Sequence, residues 1–120
     1  MNPESNESLS RRVAEAAGWH IGDSTITGMV VLIDPRGEHK SKALSGKFEH
    51  LCWRNIPNFA TSLDAITALE REAGLRVDVV WARGECCAND FATGGTAWAD
   101  TEPRARCLAY LAWASKEGWG

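Results

Sequence analysis

Nothing in this 120-residue chain approaches the roughly 20 consecutive apolar residues of a membrane helix, so no span is expected. The phosphate-cradling patterns G-x-x-x-x-G-K-S/T and G-x-G-x-x-G are absent, which removes the motif-based case for a nucleotide enzyme. The usual zinc spacings, C-x(2–4)-C and H-x(3–5)-H, are missing too. His50-Leu-Cys52 does put two ligand types on one face of an extended segment, and Cys86 or Cys87 would complete a site. Without the spacing, neither a metal nor a cofactor is expected. Basic excess is lacking as well: 13 Lys and Arg against 16 Asp and Glu give a net charge of −3. That argues against general nucleic-acid binding, which shows a basic stripe, while leaving room for one local patch. The first residues, Met1-Asn-Pro-Glu-Ser-Asn-Glu-Ser8, are polar and acidic rather than signal-like, so a cytoplasmic location is the default expectation. Cys52, Cys86, Cys87 and Cys107 then read as reduced thiols. Adjacent Cys86 and Cys87 would point to opposite faces of a strand, and bridging them would strain the backbone.

What is present is an ordinary globular balance, 44% apolar and 24% charged. A chain of this length buries about two-thirds of its unfolded surface and folds without staples. The expected organisation is a disordered tail over residues 1–7 and one domain over 8–120. Tryptophan is the outlier: six (Trp19, Trp53, Trp81, Trp98, Trp113 and Trp119) beside one Tyr and three Phe. Indoles ordinarily fill cores and interfaces, and they also form flat stacking surfaces.

Residues 8–17 set Leu9, Val13, Ala16 and Ala17 on one helical face, and Gly18 fits the helix end. Met29–Asp34 reads as a strand followed by a turn at Pro35–Gly37. Residues 36–47 carry Arg36, His39, Lys40, Lys42 and Lys47 and read as an exposed loop. Phe48–Trp53 suits a short strand or turn, and Pro57 biases Ile56 away from helix. A helix from Thr61 or Ser62 to Gly74 buries Leu63, Ile66, Leu69 and Ala73. Leu75–Ala82 alternates as a strand, with Leu75, Val77, Val79 and Trp81 on one face and Arg76, Asp78, Val80 and Ala82 on the other. Arg83–Gly95 fits a hairpin into a strand at Thr96–Ala99, or continued pairing through Cys86–Ala88. Thr101 caps a last helix carrying Cys107, Leu108, Leu111 and Ala114, and Gly118–Gly120 trails off. The fold class is α+β: a small antiparallel sheet of three or four strands packed by about three helices. Leu75–Ala82 and Thr96–Ala99 form its centre, with Met29–Ile33 alongside.

Four stretches carry a resemblance. They are Leu9-Ser-Arg-Arg-Val-Ala-Glu-Ala-Ala-Gly-Trp19, Ile56-Pro-Asn-Phe-Ala-Thr-Ser-Leu-Asp64, Thr96-Ala-Trp-Ala-Asp-Thr-Glu-Pro103 and Ala105-Arg-Cys-Leu-Ala109. In that order the chain resembles the small phage-protein family known as the phage ABA sandwich domain. The resemblance implies a phage or prophage gene and an antiparallel sheet packed by helices. It brings no catalytic residues to carry over, and it leaves the basic loop 36–47 unaccounted for.

The remaining constellation is a binding site. Trp53-Arg54-Asn55 and Trp81-Ala-Arg83 each set an indole near a guanidinium, a pair that grips flat anionic ligands and dominates protein hot spots. Gly94-Gly95-Thr96 offers backbone amides, and Arg104 stands by the start of the last helix, where Glu102 opposes an anion. Three functions compete. The first is a non-catalytic phage protein that blocks a host defence protein or sequesters a nucleotide-like immune signal through those residues. The second is a hydrolase using Cys86 or Cys87, or a metal, which needs His20, His39 or His50 or a carboxylate within reach. The third is an oligomeric phage accessory module without a ligand. Short sheets leave edges, so a homo-oligomer is expected.

Overall fold

Alternation and helical spacing act locally, and the chain settles into helices and two antiparallel meanders, an α+β fold. The structure, a computed structural model, describes residues 4–116; the expected loose end at Gly118–Gly120, with Trp119, lies outside them. Two compact units form, one from the described residues up to Ala16 together with those from Pro57 on, the other from Ala17–Ile56.

The Ala17–Ile56 unit is a meander of β1 (His20–Asp23), β2 (Met29–Ile33) and β3 (Leu44–Ser45), with β2 in the middle. Its turns are fastened by short polar side chains. Ser24 Oγ accepts the Ile26 N–H at 2.9 Å. Asp34 Oδ1 accepts the N–H groups of Arg36 and Glu38, each at 2.9 Å, which closes the Asp34-Pro-Arg-Gly-Glu38 turn. Those bonds hold the Asp34 carboxyl below its ordinary range, although desolvation works against the shift. Val31 and Leu32 are buried. The basic stretch is exposed in part, but Leu44–Ser45 pairs with Met29–Val30 as β3. Phe48–Trp53, expected as a short strand or turn, is helical instead, and so are Gly46–Lys47, expected as loop, and Arg54–Asn55, expected as irregular chain. The short helix α2 (Glu49–Cys52) lies between 3-10 turns at Gly46–Phe48 and Trp53–Asn55. It packs against β2 and places Cys52 and Trp53 in the interior. Ile56, before Pro57, is extended at ψ 154°, as the proline requires.

In the other unit, α1 (Asn6–Ala17) begins two residues earlier than its apolar spacing suggests. The Ser5 side chain accepts the Ser8 N–H at 3.1 Å there. Leu9, Ser10, Val13 and Ala14 are buried, and Ser10 Oγ accepts the Ala60 N–H at 3.0 Å. Helix α3 (Leu63–Ala73) opens on the Ser62 cap and closes on Gly74 at φ 69°, the left-handed stop that glycine adopts without strain. The expected stripe holds at Ile66 but not at Leu63, which is exposed, while Glu70 is buried instead.

Strands β4 (Val77–Ala82), β5 (Glu85–Asp90) and β6 (Thr96–Ala99) form the second meander, so both readings of residues 83–95 hold. Met29–Ile33, expected alongside, does not join this sheet, because β2 finds both its neighbours in its own meander. Helix α4 (Glu102–Lys116) lies across β5 and β6 and beside α3. Ala105 and Ala109 meet Cys86 and Ala88, flanked by Val77, Val79, Ala97 and Ala99. Side chains this small bring helix and sheet close, and the packing density carries the stability. Behind that layer Arg106 joins Glu70 at 2.6 Å and Glu102 at 2.8 Å.

Candidate functional site

The pleat sorts the second sheet into two faces. Val79, Cys86, Ala88, Ala97 and Ala99 pack with the α4 layer. On the opposite face the register aligns Val80, Cys87 and Trp98 in one row across all three strands. Val80 is 55% exposed and Trp98 51%, while Cys87 between them is buried. Large apolar side chains left this open in a continuous row mark a contact surface more often than scattered exposed residues do. Asp78, Asn89 and Thr96 form the next row, and Ala82 pairs with Glu85 on the other side. Trp81 is also 55% exposed, but it belongs to the α4 face, where the helix covers β5 and β6 rather than the end of β4. Phe91, also exposed, lies under the Arg76 guanidinium, 5.0 Å from its ring centre, and stands apart from the row.

The residues expected to grip a ligand fall into separate groups. Trp53, Arg54 and Asn55 belong to the Ala17–Ile56 unit, the rest to the other. Trp53 is only 8% exposed, so its ring is core rather than a stacking platform. Arg54 and Asn55 are exposed, and Asn55 Nδ2 donates to the Cys52 carbonyl at 3.3 Å.

Trp81 and Arg83 do stand together at one end of the sheet. Arg83 and Gly84 make the two-residue turn between β4 and β5, with φ of 54° and 78°. Positive φ at both positions is the type I′ pattern that asparagine and glycine favour, so Arg83 holds a strained backbone. Gly94, Gly95 and Thr96 lie at the opposite end, beyond a strand length of about 17 Å. The two glycine amides have internal partners: Gly94 N–H donates to the Asp90 carbonyl at 2.9 Å and Gly95 N–H to Thr93 Oγ1 at 3.3 Å. Buried Asp90 organises this turn by accepting the Thr93 N–H at 2.8 Å and the Thr93 hydroxyl. The expected amide cradle is therefore a self-satisfied hairpin turn.

Arg104 clamps helix starts. It donates to Asn6 Oδ1 at 2.6 Å and to the Glu4 carbonyl at 2.7 Å, and it pairs with Asp100 at 3.4 Å. Thr101 caps α4 as expected, accepting the Arg104 N–H at 3.4 Å. These residues, with Ser5, Thr61 and Pro103, line a cleft of about 540 Å³. Its carboxylates, Glu4 and Asp100, offset the guanidinium, so it offers no net attraction to a phosphate.

The thiols are equally committed. All four cysteines are buried and free. Burial pushes Cys107 up to about 12 and raises Cys86, with nearby carboxylates acting in the same direction. Neither supplies thiolate at neutral pH, which a cysteine nucleophile needs. Among the described residues, no three His, Cys, Asp or Glu side chains cluster as metal ligands.

Sequence reasoning did not single out Val80 and Trp98, the exposed ends of the row across the second sheet. The signal was present at Val80, an apolar residue on the face otherwise given to Arg76, Asp78 and Ala82.

No family model and no curated protein matches the chain. Among solved structures, its fold is similar to that of a phage protein from Bacillus cereus, with a TM-score of 0.59. The match covers 97% of this chain and 92% of that one at 16% identity, a likeness of fold.

Proposed function

We propose that the chain is a small non-catalytic binding protein, of phage or prophage origin, whose open sheet face docks on and blocks a host protein. The observation that carries this reading is the Val80–Cys87–Trp98 row, an apolar strip crossing a whole sheet face with both ends half exposed. An exposed tryptophan in such a strip is a residue type favoured as the anchor of a protein contact. The fold likeness to a phage protein supports the origin and, through it, a host component as the target. A host defence protein is the target this reading favours. A nucleotide-like signal is less well supported, because Trp53 is buried and the Gly94 and Gly95 amides have partners.

The test is affinity capture from bacterial lysate with the wild type, the Val80→Ser/Trp98→Ser pair and Arg54→Ala. One stoichiometric protein held by the wild type and Arg54→Ala, but lost by the sheet-face pair, is expected. Capture that survives the pair removes the face assignment. A nucleotide-mass adduct in a native mass spectrum of the purified protein, lost in Trp81→Ala and Arg83→Ala, would replace the protein target with a sequestered small molecule.

A further inference from the structure

Strand β4 is terminal in its sheet, and among the described residues nothing pairs with its outer edge. The direction of its backbone groups follows from one bond: the Phe91 N–H donates to the Arg76 carbonyl at 3.0 Å. In an antiparallel ladder the groups alternate, so Arg76, Asp78 and Val80 face β5. Val77, Val79 and Trp81 therefore direct three N–H donors and three carbonyl acceptors away from the sheet.

Proteins ordinarily blunt such an edge with lysine, proline, a bulge or a short strand. This one has none of these. Its register against β5 is unbroken over six residues, and Asp78 is its one charge. Val80 and Trp81 expose more than half their surface, on opposite faces.

We infer that β4 pairs antiparallel with β4 of a second copy, across a two-fold axis at Val79. The axis stands perpendicular to the sheet, so opposed residues must share a face. A register with Val79 opposite Val79 satisfies this, and Val77 then lies opposite Trp81 in both directions. All three outward residues of each copy meet one another, which makes six backbone hydrogen bonds in a closed, isologous contact. Each Trp81 ring packs over the partner's Val77 on the α4 side of the sheet, at the end of β4 that the helix does not cover. The Asp78 carboxylates come diagonally across the axis, a weak repulsion that salt screens. The exposed halves of Val80 and Trp81 supply only a few hundred Å² in all, well below the roughly 1,200 Å² of a standard interface. The dimer is accordingly reversible and concentration-dependent. This inference is separate from the proposed docking face, since the Val79→Pro variant below leaves Val80 and Trp98 in place.

Light scattering behind size exclusion, between about 1 and 200 µM, tests it over the range where an interface this small dissociates. The average mass is expected to climb from 13.1 kDa toward twice that value. Val79→Pro should stay monomeric throughout. Its ring replaces an outward N–H, which an edge strand tolerates, so circular dichroism should report an intact fold. If that variant unfolds, oxidation of Val79→Cys decides. Directly opposed Cα atoms of a hydrogen-bonded pair lie about 5.5 Å apart, within disulfide reach, so it should cross-link while Val80→Cys does not. A mass that never leaves the monomer, a folded Val79→Pro dimer, or equal cross-linking from both positions would overturn the inference.

Discussion

The two meanders share a topology and differ in how they are finished. The β1–β2–β3 sheet is held by its own turns, through Ser24 and Asp34, and β2 lies between two neighbours. The β4–β5–β6 sheet is covered by α4 on one face and left open on the other, with an apolar row across it. Local turn chemistry can complete a small sheet, whereas a sheet built on helix burial exposes whatever its second face carries. The strands of the second sheet carry large apolar residues that nothing covers, and that contrast is the basis for the contact role proposed for it.

The sharpest way to break the second sheet's support is Arg106→Ala. It leaves Glu70 buried without its cation, and a loss of about 4 kcal/mol is expected from urea unfolding. Replacing both partners by Leu and Met should recover most of that loss. In the first sheet, Leu32→Ala removes a fully buried side chain and should lower stability by about 3 kcal/mol on the same measurement.

Acid separates the two regions by sign. Asp34 is held low, so its stabilisation is present above its ordinary value of 3.8 and fades as pH falls through its lower folded value. Glu70 runs the other way. Burial raises it against the pull of Arg106, so the folded state binds the proton more tightly and stability declines as pH rises above 4.5. Thermal midpoints between pH 3 and 7 (roughly the span in which carboxylates titrate) should show Asp34→Asn flattening the acid fall. Glu70→Gln should remove the decline with rising pH. Identical profiles for both variants would mean that these carboxylates do not set the slopes.

Arg83→Asn relaxes the left-handed turn and should raise stability by about 1 kcal/mol, visible as a higher melting temperature. The smallest stability effect belongs to Trp98→Ser, within about 0.5 kcal/mol, because its ring is half exposed. The same substitution should have the largest effect on partner capture, which separates a contact residue from a structural one.

Local signals carried much of the fold. Ser62 and Gly74 bound α3, Thr101 opened α4, and alternation marked β4, because caps and pleats act within a few residues. The misses all came from tertiary partners. Glu70 is buried because Arg106, distant in sequence, meets it. Residues 46–55 turn helical where their apolar members pack on β2, and β2 itself was assigned to the wrong neighbours. For the site, the sequence set Trp81 beside Arg83 but told neither the exposure of Trp81 nor the burial of Trp53. Nor did it foresee the internal partners of Arg104 and the Gly94–Gly95 amides. Exposure and hydrogen-bond occupancy depend on what packs nearby, and spacing alone does not encode that.

Hydrogen exchange of the free protein against its captured complex tests the contact face most directly. New protection confined to residues 77–90 and 96–99, with 20–33 unchanged, is the predicted result. Protection concentrated in residues 20–33 instead would place the contact on the other sheet and contradict the account.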